Sequence, residues 1–357
     1  MSAAVTVIVA VYNVRQYLPR FMESLQGQTF TDFEALFIND ASPDDSAAFI
    51  AAHAASDPRI RLLHHEQNQG VGAACNYGIR EASAPMLCFA DPDDHLPETS
   101  LQVRYEAYKR HNAIVRACHK EMVTDGELLN HETRPDSLPE VFSAVEAAHS
   151  VGPNPFLCAH WTWLVPTGLL RRNNIFQGEH MRTANEIILQ AQLFYHLGRM
   201  VWIPDVVYHW MKRPDSLSTS HYTPEHYENY FRCCDVFYEQ SAQHRQLKLA
   251  DAFFNSYLVA YFGHLLKQVA DGTSGEPDVR AVLAVAGAVE KRHGVFERLY
   301  ARQKTLPQDM LGLTWLNLAR NDTSPTAIER LTNSYQTVLR YYGALAVEQA
   351  RARGEVL

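Results

Sequence analysis

The chain has 357 residues, 46% hydrophobic and 20% charged, with a formal net charge of −8. This is an ordinary globular composition, long enough for roughly two domains and a sizeable core. The acidic balance argues against a dedicated nucleic-acid binder, which carries a basic face. Six scattered cysteines, none in a Cys-x-x-Cys pair, argue against a disulfide framework or a zinc site and for a reducing compartment. No stretch approaches the ~18 uninterrupted apolar residues of a membrane span, and the first apolar run lacks the basic flank of a signal peptide. The expectation is a soluble cytoplasmic protein, with peripheral contact at the inner face of the cell membrane left open.

In chain order, Val5 to Val11 is a continuous β-branched run that predicts a buried parallel strand. Asn13 to Gln26 has helical spacing at Tyr17, Leu18, Phe21 and Leu25, Phe33 to Ile38 reads as a strand, and Ser46 to Ala55 as an Ala-rich helix. Ile60 to His64, Gly72 to Glu81 and Met86 to Ala90 continue as strand, helix and strand. This β-α-β-α-β-α-β series predicts a parallel sheet with helices on both faces, whose ligands bind beyond the carboxyl ends of the strands. A strand is expected near Ala113 to Cys118, a loop or small hairpin over Gly126 to Pro139, a helix over Ala184 to Leu197 and a strand over Val201 to Trp210. Pro153 to Leu170 mixes Trp and Pro with apolar residues. From Pro224 helical periodicity takes over, as in Pro277 to Glu290 and Pro325 to Arg340. The boundary falls near residue 220, giving an α/β domain over 1–220 and an α-helical domain over 221–357.

The most informative stretch is Cys88-Phe89-Ala90-Asp91-Pro92-Asp93-Asp94, three carboxylates within four positions at the end of a strand. They repel one another unless a cation or solvent neutralises them, and hard oxygen ligands suit Mg²⁺ or Mn²⁺ bridging to phosphate. An acidic turn is the competing reading, since Asp-Pro and Asp-Asp form turns readily. Residues 1–221 hold 17 Lys and Arg against 25 Asp and Glu, whereas the remainder is balanced at 15 each. The acidic part therefore coincides with the cation candidate, though surface solubility explains the bias equally well.

Several motifs together resemble family-2 glycosyltransferases with the GT-A fold, of the bacterial surface-polysaccharide type. Val7-Ile8-Val9-Ala10-Val11-Tyr12-Asn13 is similar to that family's V-I-V-P-V-Y-N opening, and Gln28-Thr29 with Glu34 to its Q-T step. Ile38-Asn39-Asp40-Ala41-Ser42-Pro43-Asp44 resembles V-D-D-G-S-x-D, and Asn68-Gln69-Gly70 through Asn76-Tyr77-Gly78 resembles N-x-G…A-R-N-x-G. Asp91-Pro92-Asp93-Asp94 stands at the D-x-D motif. Asn185-Glu186, then Pro204, Tyr208-His209-Trp210 and Arg213, resemble the later E-D…L-P-x-x-L-Y-x-Y-R block. The likeness fades after about residue 220.

The resemblance implies an inverting, metal-dependent transfer of a sugar from a nucleotide-sugar donor, a UDP-sugar by expectation, to a glycan or lipid-linked saccharide in capsule, O-antigen or lipopolysaccharide synthesis. Asp93 and Asp94 are then ligands of Mn²⁺ or Mg²⁺. Ala10, Val11, Tyr12, Asp40, Asn68, Gly70, Asn76 and Asp91 face the donor, and His209, Lys212 and Arg213 fold towards its diphosphate. Glu186 is the catalytic base, with Glu179 as runner-up, and His160, Trp161 and His209 are acceptor contacts. Each has a plainer reading. Asp40 could be a turn or cap residue, Glu186 a carboxylate at a helix N-terminus, Trp161 a core aromatic and the 209–213 segment a solvated basic loop. Two departures stand out: Cys75 replaces the family's Arg, and Asn185-Glu186 replaces Glu-Asp. They motivate the alternative of a non-catalytic nucleotide- or glycan-binding scaffold. A nucleotidyltransferase is disfavoured because no glycine-rich loop follows the first strand. The helical part could associate with a membrane surface or a second copy through Tyr335 to Ala350 with Arg340, Arg351 and Arg353, or simply pack as a core.

Overall fold

A computed structural model describes residues 3–123, 126–181, 183–213, 223–254 and 276–294. Val5–Val11 (β1) pairs in parallel with Phe33–Asn39 (β2) on one side and Met86–Phe89 (β4) on the other, and β2 pairs in parallel with Ile60–His64 (β3). The β1 run is apolar without alternation because both faces are covered. Leu18, Phe21, Met22 and Leu25 of α1 (Leu18–Gln26) join the core cluster that contains Val5, Val7, Val9 and Val11. Helix α3 (Val71–Glu81) lies against β1 and β2. Ser46–Ala54 (α2) and Ser100–His111 (α4) complete the helices of the first half.

The sheet is parallel over β1 to β4 and mixed beyond β4, in agreement with the mainly parallel sheet expected. Ile114–Val123 (β5), Leu128–His131 (β6), Trp163–Pro166 (β7) and Met200–Lys212 (β8) extend it to eight strands in the order β3-β2-β1-β4-β7-β5-β6, with β8 on β5. β7 is antiparallel to both β4 and β5, whereas β5 and β8 are parallel. The β5–β8 register slips beside Arg116, Cys118 and His119, opposite the exposed Pro204 and Asp205 of β8. Pro204 has no N–H to give the ladder, so pairing is interrupted there and resumes with Val206.

Three elements start or stop differently from expectation. α1 begins at Leu18, not Asn13, because Asn13 has φ 54° and the Arg15 N–H is given to Asp44 Oδ2 at 2.8 Å. The strand expected to end at Cys118 runs on to Val123 and turns into β6, so the 126–139 segment opens as a hairpin. Helix α7 (Asn185–Leu193) gives way to a 3-10 turn at Phe194–His196. Ala144–Val151 (α5) and Thr167–Arg172 (α6) lie in segments where no element was predicted, and α5 carries a Ser143/Glu146 capping box.

Two residues of the Q-T motif are structural. Gln28 donates to the Ser24 and Pro97 carbonyls and accepts from the Leu101 N–H. Glu34 accepts from Thr6 Oγ1, Ser83 and Arg61, which hold its carboxyl below the usual range against the opposing effect of burial.

The chain divides into two compact units, Met1–His221 with Glu239–Leu249, and Tyr222–Tyr238 with Ala250–Leu357. Two long helices are described after residue 220, Pro224–Gln243 (α8) and Glu276–His293 (α9). In the second unit Asp235 pairs with Arg292 and His293, and the Tyr238 hydroxyl donates to Asp251 at 2.9 Å. The helix expected over 325–340 and the amphipathic stretch over 335–350 lie outside the described residues. No helix among the described residues is long and apolar enough to cross a membrane.

Candidate active site

The carboxyl ends of β1, β2, β3 and β4 meet at one edge of the sheet. Tyr12 ends β1 half exposed, and the Val11 carbonyl accepts from the Asp40 N–H (2.9 Å) and from Ser42 Oγ (3.3 Å). Asp40 is 2% exposed, and both its oxygens are occupied. Oδ1 accepts from His65 Nδ1 (2.7 Å) and the Gln69 N–H (2.9 Å), and Oδ2 accepts from the Gly70 N–H (2.8 Å). Gly70 has φ 91°, a backbone state that a side chain would strain, and it turns its N–H onto Asp40. Asp40 thus fixes the loop from His65 to Gly70, including the exposed Asn68, and any part in donor binding starts from that loop.

Asn76 has a different neighbourhood from the one implied by the motif. It is fully buried in α3, donating to the Gln177 carbonyl (3.0 Å) and Glu179 Oε1 (2.9 Å) and accepting from the Gln177 N–H (2.8 Å). It fastens α3 to the 176–186 segment that leads to Glu186. One turn earlier, a Cβ on Gly72 would stand 2.1 Å from the Gly178 carbonyl oxygen, so the two backbones touch there. Glu179, the second candidate base, is held by Asn76 and lies 3.6 Å from Arg80.

The acidic loop after β4 is asymmetric. Asp94 is 4% exposed and fully engaged: Oδ1 accepts from the Met211 N–H (2.7 Å) and Oδ2 from the Tyr208 hydroxyl (2.8 Å). Asp93 pairs with Arg213, whose guanidinium also lies 4.1 Å from the centre of the Tyr17 ring. The Asp91 carboxylate takes no bond from any described residue. Burial first, then the charges of Asp93 and Glu186, push its pKa up to about 7.

Glu186 stands in the first turn of α7, after Ala184 at φ 62°, and burial raises its pKa above the ordinary carboxylate value. Its charge is felt by Asp91 and by Cys75, whose buried thiol is pushed far up, first by desolvation and then by Asp91 and Glu186. The structure therefore brings Asp91, Asp93, Glu186 and Cys75 together from three separate segments. Among the described residues, no positive group acts on Cys75 to offset the carboxylates.

At the end of β8, Lys212 lies 3.8 Å from Glu121 and 3.2 Å from the centre of the Trp210 ring, with its pKa lowered by burial. His209 Nδ1 meets His95 Nε2 at 2.7 Å, and the two residues exchange backbone hydrogen bonds. Burial lowers both imidazoles, His95 to about 4. The proposed acceptor aromatics are mostly interior. Trp161 belongs to the core cluster and stacks on Tyr208 (4.3 Å, 17°), and His160 packs on Phe89 with its pKa driven down to about 3 by burial. Tyr208 lay inside a recognised motif, but nothing local in the sequence pointed to its bond with Asp94.

A divalent cation fits this oxygen set. Mg²⁺ and Mn²⁺ are held by one or two carboxylates plus substrate phosphates, and Asp93, with the Asp91 charge beside it, meets that requirement. Among the described residues no group of three or more His, Cys, Asp or Glu could hold a metal alone, so the remaining ligands would come from substrate and water.

Comparison with known proteins gives a consistent result. The family model described as Glycosyl transferase family 2 matches residues 6–194. The uncharacterized glycosyltransferase EpsJ of Bacillus subtilis is 26% identical over 246 residues, covering 67% of this chain and 70% of that protein. Glycosyltransferase GlyG of Streptococcus pneumoniae is 26% identical over 223 residues, covering 61% and 73%. Among solved structures, residues 1–349 of S. aureus TarS in complex with UDP-GlcNAc superpose with a TM-score of 0.66 at 18% identity, covering 98% of this chain and 92% of that one.

Proposed function

Since the chain belongs to glycosyltransferase family 2 and is a glycosyltransferase built on the GT-A fold, we propose that it transfers a sugar from a UDP-sugar, with inversion and with Mn²⁺ or Mg²⁺, to a glycan or lipid-linked saccharide of a bacterial surface polymer. The observation that carries the reading is the convergence of Asp91, Asp93 and Glu186 at the carboxyl edge of the parallel strands, where open α/β sheets bind ligands. The UDP-GlcNAc complex of TarS supports the choice of nucleotide.

In this reading the acceptor oxygen attacks the anomeric carbon while the bond from that carbon to the diphosphate oxygen breaks. The electron pair leaves with the diphosphate, and the acceptor proton passes to the Glu186 carboxylate. Burial raises the proton affinity of Glu186, which suits a general base near neutral pH. A single base opposite the leaving group supports inversion. Asp91 orients the donor sugar or ribose, and Arg213 exchanges Asp93 for the diphosphate, adding charge where the leaving group develops it. A cation held by Asp93 would neutralise the departing diphosphate.

The test is calorimetry and turnover with a panel of UDP-sugars and Mn²⁺. Binding of a donor that requires Mn²⁺, with slow hydrolysis or transfer that Asp93→Asn abolishes, is the expected result. Failure of every nucleotide sugar to bind with Mn²⁺ present would refute the proposal.

A further inference from the structure

Tyr208 is fully buried, and its hydroxyl is used in both directions: it accepts from the Asp91 N–H at 2.9 Å and donates to Asp94 Oδ2 at 2.8 Å. The other Asp94 oxygen accepts from the Met211 N–H at 2.7 Å, and the Asp94 N–H returns to the Asp91 carbonyl at 3.2 Å. The turn 91–94 is therefore closed on itself and bolted to β8 at two points. Trp161, stacked on the phenol ring, leaves Tyr208 little freedom to swing away. One residue further on, backbone bonds between His95 and His209 hold the loop's exit to the same strand.

We propose that Asp94 is not a cation ligand but the anchor of the acidic loop, and that Tyr208 is the positioning residue that sets where the Asp91 and Asp93 carboxylates stand. The inference rests on the cation-assisted transfer proposed above. Both Asp94 oxygens are hydrogen-bonded at 2.7–2.8 Å, and at 4% exposure the carboxylate is enclosed against β8. Turning Asp94 out towards a cation would leave the Met211 N–H and the Tyr208 hydroxyl without their acceptor inside the protein, which is costly. Asp93, one residue earlier, keeps 25% of its side chain exposed and pairs with Arg213. The division of labour follows from burial: Asp94 is enclosed against β8, whereas Asp93 stays partly exposed. Partners that orient metal-binding groups commonly change metal affinity by about 10–100-fold when removed.

The experiment titrates Mn²⁺ into the full chain with saturating UDP, by calorimetry, for wild type, Asp93→Asn, Asp94→Asn and Tyr208→Phe, and records each melting temperature. Asp94→Asn can keep the bond from the Met211 N–H on its amide oxygen and reverse the other, its amide N–H donating to the Tyr208 oxygen, so its Mn²⁺ affinity should stay within about threefold of wild type while its melting temperature falls. Asp93→Asn should lose Mn²⁺ binding. Tyr208→Phe keeps the ring stacked on Trp161 and removes only the bridge, so Mn²⁺ affinity should fall about tenfold or more, and donor KM should rise with it. A purely structural tyrosine would lower the melting temperature without moving Mn²⁺ affinity. Loss of Mn²⁺ binding in Asp94→Asn to the same extent as in Asp93→Asn would overturn the anchor assignment, and unchanged affinity in Tyr208→Phe would overturn the positioning role. If Tyr208→Phe does not fold, the two aspartate variants still decide. Wild type that binds no Mn²⁺ with UDP refutes the transfer reading itself, a result distinct from either variant failing.

Discussion

The Arg213 guanidinium pairs with the Asp93 carboxylate, so in the proposed mechanism the residue that would stabilise a departing diphosphate rests on the one that would hold the cation. Arg213 and a divalent cation then compete for one carboxylate. A donor diphosphate resolves the competition by drawing Arg213 to itself, so donor and cation favour each other's binding by the same factor. Arg213→Ala should bind Mn²⁺ alone several-fold more tightly than wild type, show weaker coupling between Mn²⁺ and UDP, and lose about 10²-fold in kcat. Calorimetric titration of Mn²⁺ with and without UDP measures the first two effects. Equal Mn²⁺ affinities in variant and wild type would rule the competition out.

Glu186 carries the proton transfer in the proposed mechanism, and it is buried at a cost. Glu186→Gln should reduce kcat by about 10²–10⁴-fold with little change in donor affinity, and should not lower the melting temperature, because burial disfavours the charge it removes. The base acts deprotonated and its pKa is raised, so activity should climb with pH through a value above the ordinary Glu range. Glu179→Gln removes an oxygen already committed to Asn76 and Arg80 and should leave that pH dependence in place. A pH–rate profile for both variants separates the two carboxylates.

Asn76 makes three hydrogen bonds to the segment that leads to Glu186: two are buried, to the Gln177 N–H and C=O, and the third reaches the exposed Glu179. Asn76→Ala strands the Gln177 N–H and C=O in the interior and leaves a small cavity, for an expected loss of about 2–4 kcal/mol. Denaturant unfolding gives the value. A direct donor contact at Asn76 would instead raise donor KM with unchanged stability.

Asp57 tests the acid stability of the sheet at the start of β3. Arg59 pairs with it at 2.8 Å and, with the Arg59 N–H and Gln26, holds its pKa down to about 2 from an unfolded value of 3.8. A depressed carboxylate pKa stabilises the fold above the unfolded value, and the contribution is lost as pH falls through the folded one. Asp57→Asn should therefore be less stable than wild type by about 1 kcal/mol above pH ~4, after allowance for solvent screening, with the gap closing between pH ~4 and ~2. Unfolding curves across that range check the sign.

Local pattern alone determined much of this protein. The β-branched run at Val5–Val11 and the apolar stretches before Asp40 and Asp91 announce parallel strands. Asp40 and the acidic run fall at strand ends, and the motif order identified the family. These features are legible because strand burial and turn chemistry are written in consecutive residues. The tertiary structure decided which strand lies beside which, and so the reversal at β7. It also decided what each polar side chain faces. Asp94 meets a tyrosine 114 positions away, Asn76 turns to a loop 101 positions away, and Trp161 joins the core. A period of two fixes the face of a strand but not its neighbour, and a motif fixes residue types but not their hydrogen-bond partners. Asp91, Asp93 and Asp94 are equivalent carboxylates as sequence, and only the position of β8 makes one an anchor and leaves the others facing the site.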